Sequence, residues 1–246
     1  MRANYKLPRL FLETPLGEGG SVELDKTRSN YLLNVLRMRD GDELLTFNGR
    51  DGEWRSTLEK TGKKNTRLIF RACERRQPTA PDLVFCFAPL KVGRLDYMVQ
   101  KAVEMGAGVL QPVFTEFTQN HRINMEKMRS WTIEAAEQCG VLALPQCREP
   151  VKFGRLIDDW DDAIALIFCD EDHDTHDPMP SLEQVGHSRL GVLIGPEGGF
   201  SDNERASLRA QPFVTSIPLG PRILRADTAA VAALAIIQAK LGDWKR

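Results

Sequence analysis

The chain has 246 residues, a net charge of −1, 42% hydrophobic residues and 27% charged residues. That length holds one large domain or two modest ones. No run of eighteen apolar residues exists and MRANYKLPRLFLETP lacks a long apolar core, so neither a membrane span nor a signal peptide is expected. Cys73, Cys86, Cys139, Cys147 and Cys169 are odd in number, scattered and without a CxxC pair. They read as reduced thiols of a cytoplasmic protein. Charge is uneven: residues 1–80 hold 16 Lys and Arg against 11 Asp and Glu, and the remainder 17 against 23. A basic front end suits a polyanion.

Residues 1–75 read as a small β-rich domain. Arg9 to Leu12 and Val22 to Leu24 are short strands. Asp25 caps a helix that continues through Asn30 to Arg37, with Leu32, Leu33, Val35 and Leu36 as its buried face. Strands follow at Glu43–Phe47, Trp54–Leu58 and Thr66–Ala72, with turns at Asn48-Gly49 and Thr61-Gly62. Several short strands with one helix suit a small β-barrel. Arg9, Arg28, Arg37 and Arg39 are the candidate phosphate contacts; singly, each also reads as solvated surface charge.

The polar, Pro-rich stretch from Arg75 to Pro81 marks the domain boundary, leaving 76–246 as a second domain. Leu83 to Ala88 reads as a buried strand. Leu95, Met98, Val99, Ala102 and Val103 have helical spacing with a stop at Gly106, and Lys101 can pair with Glu104. Val109–Phe114 is a strand, Met128 to Cys139 a helix ended by Gly140, Phe153–Trp160 a short helix and Ala163–Cys169 a strand. This alternation fits an α/β domain with a mostly parallel sheet. Asp170 to Asp177 mixes two histidines with carboxylates, but no apolar positions fix their geometry and prolines follow. It reads as a solvated acidic loop, and no metal is expected.

The most informative stretch is Leu190 to Ala230. The apolar run Leu190–Ile194 breaks into Gly195-Pro196-Glu197-Gly198-Gly199, and Ser201 with Glu204 forms a capping box. A second unit repeats the logic: strand Phe213–Ile217, loop Pro218-Leu219-Gly220-Pro221-Arg222, and a helix from about Arg225 to Leu241, apolar on most faces. Two strand ends feeding Gly/Pro loops fit a ligand crevice at the carboxyl ends of parallel strands. The first loop matches no phosphate-binding fingerprint and carries a carboxylate, which argues against a pyrophosphate guest. Its glycines would let the backbone approach a bulky ligand. Alone, such a loop also serves as a tight strand-to-helix turn.

GPEGGFSDNE and LGPRILRADTAA, in this order and spacing, resemble the SPOUT-class RNA methyltransferases, and more closely the 16S rRNA (uracil(1498)-N(3))-methyltransferase family. KVGRLDYMVQKAVEMG, LQPVFTEFTQ, EAAEQCG and VLRMRDGDELLTFNG extend the likeness from Arg9 to Ala230. The resemblance implies a PUA-like RNA-binding front domain, a C-terminal trefoil knot that holds S-adenosylmethionine, a homodimer, and 16S rRNA of the small ribosomal subunit as substrate. It puts the cofactor against Ile194, Gly195, Pro196, Glu197, Gly198, Gly199, Leu219, Gly220, Ile223 and Leu224. Two departures stand out. Asn30 precedes Tyr31 where many relatives have His, so a proton role there is lost. Val141 follows Gly140 where relatives commonly have Arg.

No covalent nucleophile is expected, since no Cys sits in a basic loop and GxSxG is missing. Methyl transfer from a sulfonium is mostly a positioning problem. Uracil N3 must lose a proton, and the charge spreads onto O2 and O4. Arg225, with Arg222 second, is the candidate to stabilise that charge. Glu197 or Asp227 could accept the proton, though Asp227 also suits a helix N-terminus. A ribose 2′-O-methyltransferase and a non-catalytic RNA binder remain as competing readings.

Overall fold

A computed structural model of the chain describes residues 6–62, 64–91, 93–171 and 175–245. It divides into two compact units, 1–79 with 136–144, and 80–135 with 145–246.

The first unit is a five-stranded sheet ordered β1-β3-β4-β5-β2, from β1 (Arg9–Phe11), β2 (Ser21–Glu23), β3 (Glu43–Phe47), β4 (Glu53–Lys60) and β5 (Thr66–Arg75). Only the β1–β3 pairing in this order is parallel. Leu10, Leu12, Leu32, Leu44, Leu58, Leu68 and Phe70 fill its core. Helix α1 (Lys26–Asn30) starts where expected, with the Asp25 carboxylate accepting the Arg28 amide.

From Tyr31 to Val35 the helix widens into a π turn, closed by the Leu36 amide on the Tyr31 carbonyl at 2.9 Å. Each residue of such a turn advances less around the axis than in an α-helix. Leu32 therefore stays fully buried while Val35 swings out to 62% exposure, which corrects the expected buried face. Arg37 ends the turn at φ +58, the left-handed region that glycine usually fills, and the Met38 amide reaches back to the Leu32 carbonyl.

The expected boundary falls at 75, but Arg75 is part of β5 rather than linker. Its guanidinium bonds Glu53 at 2.6 and 2.8 Å and the Gly140 carbonyl at 3.0 Å. The Phe11 amide donates to Glu137 and the Gln77 amide group to the Leu142 carbonyl. These bonds are why 136–144 belongs with the first unit although its sequence reads with the second.

The second unit is a seven-stranded, all-parallel sheet: β6 (Val84–Phe87), β7 (Val109–Phe114), β8 (Gln146–Cys147), β9 (Val151–Lys152), β10 (Ile164–Cys169), β11 (Arg189–Ile194) and β12 (Val214–Ile217). The order is β12-β10-β11-β6-β7-β8, with β9 also pairing β7. The helices are α2 (Leu95–Glu104), α3 (Met125–Cys139, of which the part up to Ala135 falls in this unit), α4 (Phe153–Asp158), α5 (Met179–Glu183), α6 (Asp202–Arg209) and α7 (Ala226–Lys240). Near-continuous apolar strands such as VFCF and IALIFC are what a doubly covered parallel sheet demands. Two-residue β8 and β9 carry too little pattern to be foreseen. Helix α5 begins at the prolines that follow the acidic stretch, because Pro suits a helix's first turn. Among the described residues no helix is long and apolar enough to cross a membrane.

Candidate cofactor cleft

The chain leaves β10 for β11 on one side and later places β12 on the other. Loops at such a reversal of strand order splay apart and open a crevice at the strands' carboxyl ends. A cavity of about 400 Å³ lies there, within the range of small-molecule sites. Its walls come from the ends of β10 (Cys169 to Glu171), β11 (Ile194 to Glu197, with Phe200) and β12 (Pro218 to Arg225), and from the start of α7.

The cleft brings together Ile194, Gly195, Pro196, Glu197, Leu219, Gly220, Arg222, Ile223, Leu224 and Arg225, all of them expected site residues. Gly198 and Gly199 do not line it. The reason corrects the expectation that the glycines admit a ligand. A Cβ on Gly195 would stand 2.6 Å from the Phe200 ring, and one on Gly198 would meet Phe117 at 3.0 Å. Gly199, at φ +69, is backed by the Glu171 carboxylate. These three glycines let the loop pack against Phe200 and against the segments that carry Phe117 and Glu171. Gly220 differs: at φ +87, with nothing within 4 Å of a would-be Cβ, it keeps the cleft open. Ile223 stands 95% exposed beside it.

Packing and charge hold the walls. Phe200 meets Phe168 edge-on at 5.0 Å. Glu204 completes the capping box on Ser201 and also accepts the Glu116 amide at 2.9 Å. Asp170 falls in the stretch expected to be a solvated acidic loop, yet its side chain is fully buried. It accepts Arg205 at 2.8 Å, Arg209 at 2.6 Å and Ser216 at 3.4 Å. Arg205 also bonds Glu171 at 2.6 Å and the Phe200 carbonyl at 3.1 Å. One guanidinium thus links the β10 and β11 ends, and its partner Asp170 extends the link to β12. Asp172, His173 and Asp174 of that acidic stretch lie outside the described residues. Among the described residues no His, Cys, Asp and Glu cluster could hold a metal.

Arg94, Arg222 and Arg225 line the cleft, and their side chains make no hydrogen bond or ion pair with any described residue. Sequence reasoning missed Arg94, which lies in a string already matched to the family but carries no motif of its own. Cys169 is no nucleophile: burial, then the neighbouring Asp170 charge, pushes its thiol up to about 12. Asp227 is outside the cleft lining and accepts the Thr228 amide at the start of α7, which suits a helix-terminal role.

In the first unit the candidate RNA contacts separate. Arg9 is withdrawn: its side chain is 4% exposed and locked on Glu53 at 2.9 Å. Arg28 is half-buried and pairs with Asp25 at 3.5 Å. Arg37 and Arg39 are exposed, with no side-chain ion pair among the described residues.

A parallel α/β sheet with a cofactor-sized cleft at its strand-order reversal, its walls held by buried charge, is the plan of a cofactor-using enzyme domain. Residues 77–238 match the RNA methyltransferase domain family, and residues 24–70 match the RNA methyltransferase PUA domain family. The chain belongs to the RNA methyltransferase family. It is 27% identical over 237 residues to a ribosomal RNA small subunit methyltransferase E of Rickettsia conorii, covering 95% of this chain and 96% of that one. A protein of the same name from Synechocystis is 30% identical, covering 90% and 74%. Among solved structures, a putative methyltransferase from Legionella pneumophila with bound S-adenosylmethionine superposes with a TM-score of 0.82 at 28% identity, covering 95% and 98%.

Proposed function

We propose that this chain, an S-adenosylmethionine-dependent ribosomal RNA methyltransferase, methylates N3 of one uridine, of the 1498 type, in 16S rRNA of the small ribosomal subunit. The observation that carries the reading is the cleft itself: arginines without a partner among the described residues, and the exposed carboxylate of Glu197, gathered beside main chain that Gly220 leaves open.

That wall fits S-adenosylmethionine. The main chain of Ile194–Glu197 and Leu219–Leu224 can hydrogen-bond an adenine, and Leu219, Ile223 and Leu224 can cover its faces. Gly198 and Gly199 act through packing of the loop against Phe117 and Glu171. The bound cofactor supplies an electrophilic methyl group. The protein's part is to align the acceptor, exclude water and meet the charge of deprotonated uracil. Arg225, at the N-cap of α7, takes that role with Arg222 beside it, and Glu197 can receive the N3 proton.

The same proposal takes 1–75 as the RNA-binding domain and 76–246 as the catalytic domain, with a C-terminal trefoil knot. It includes a cytoplasmic homodimer. In the dimer, the half-covered face of Val231, Ala232, Ala235 and Ile236 on α7 is the subunit contact.

The test is to incubate the protein with methyl-labelled S-adenosylmethionine and small subunits that lack this modification, then identify the labelled nucleoside. The reading expects 3-methyluridine. Label on a ribose, or no label at all, refutes it.

A further inference from the structure

Arg94 enters the cleft from a different side than the other two arginines. Arg222 and Arg225 come from the loop after β12. Arg94 comes from the connection after β6, across β10 and β11 in the sheet. Its backbone is fixed at the N-cap of the ten-residue α2, with its amide on the Lys91 carbonyl at 3.2 Å and its carbonyl accepting the Met98 amide at 2.9 Å. Its side chain does not cap the helix and finds no partner among the described residues. The residue is half-buried and lines the cleft, so its cation is not simply a surface charge.

A half-buried arginine on a ligand cleft, with no partner among the described residues, suits an anion, and its planar fork matches two oxygens of one group. The cofactor is assigned to main chain of the β11 and β12 loops, and the uracil charge to the β12-side arginines. A nucleotide whose base enters this cleft leaves its phosphates at the rim, on the side that remains. We propose that Arg94 is a substrate-binding residue that grips the phosphodiester next to the target uridine. This rests on the function proposed above and adds an RNA contact in the catalytic unit itself.

The experiment compares wild type with Arg94→Gln and Arg94→Lys, as full-length protein. Binding of labelled S-adenosylmethionine is measured by equilibrium dialysis. Methylation of unmodified small subunits is measured across a salt series. For Arg94→Gln the expected result is a KM for subunits raised about tenfold, with kcat and cofactor Kd within about twofold. One lost phosphate contact should also flatten the slope of log(kcat/KM) against log[salt] by about 0.7–0.9. Arg94→Lys keeps a point charge, so it should retain the slope and recover part of the KM. A merely structural arginine would not move the slope.

If cofactor Kd weakens in step with KM, Arg94 serves the cofactor and the proposal is wrong. A fall in kcat at unchanged slope puts Arg94 on the base and also overturns it. If wild type itself leaves the subunits unlabelled, the underlying function fails first and takes this assignment with it.

Discussion

Asp170→Ala tests the charge network that holds the cleft. The Asp170 side chain is 0% exposed, Arg205 12% and Arg209 47%. Removing one partner of a buried ion pair costs about 3–5 kcal/mol, because the other charge is left desolvated. Arg205 keeps Glu171 and the Phe200 carbonyl, and Arg209 is half in water, where pairs contribute under about 1 kcal/mol. The low end, about 3 kcal/mol, is therefore expected. Asp170→Asn keeps the shape and one acceptor oxygen, and should lose about half as much. Arg209→Ala should lose less than either. Urea unfolding followed by circular dichroism gives the three values. Cofactor affinity, measured in parallel, should fall in the same order, since Arg205 joins two walls of the cleft. If Asp170→Ala unfolds within about 1 kcal/mol of wild type, the network is equivalent to a surface pair and the reasoning is refuted.

Arg225→Ala should slow methylation about 10²–10³-fold with cofactor affinity nearly intact, read by single-turnover assay beside dialysis; equal losses in both would reject the assignment. Gly195→Ala should weaken cofactor binding more than Gly220→Ala weakens folding. The first drives a methyl into the Phe200 ring, while the second costs about 1–2 kcal/mol for its positive φ. Ile223→Ser should leave the unfolding midpoint unchanged and lower cofactor affinity, because the side chain is 95% exposed. Glu53 gives the first unit an acid limb. Burial pushes its pKa up, but the hydrogen bond and charge of Arg75, then those of Arg9, outweigh this and hold it below the ordinary 4.5. Its stabilisation is thus complete above the unfolded value and is lost as pH falls through the lower folded one. In acid titrations the stability gap between wild type and Glu53→Gln should close across that window.

Much of the second unit was legible because its signals are local. A run such as IALIFC can hardly be anything but a buried strand, and Ser201 with Glu204 declares a helix start that the structure reproduces bond for bond. The two Gly/Pro loops told where the cleft would be. Which face each glycine serves was not legible, since Phe200, Phe117 and Glu171 reach Gly195, Gly198 and Gly199 only in three dimensions. Arg9 shows the same limit: a basic lead before a strand looks exposed until Glu53, 44 residues on, buries it. The π turn was also hidden, because YLLNV satisfies a helical period and only the hydrogen-bond register reveals the widened turn.

Cys169 has a consequence for the chemistry of its own neighbourhood. A thiolate is a far better methyl acceptor than a uracil nitrogen, and Cys169 lines the cleft assigned to a sulfonium methyl donor. With its thiol pushed up to about 12, the thiolate is disfavoured at neutral pH. Burial and the fixed negative charge of Asp170 therefore do more than brace a wall. They disfavour a thiolate at a position that lines the cofactor cleft.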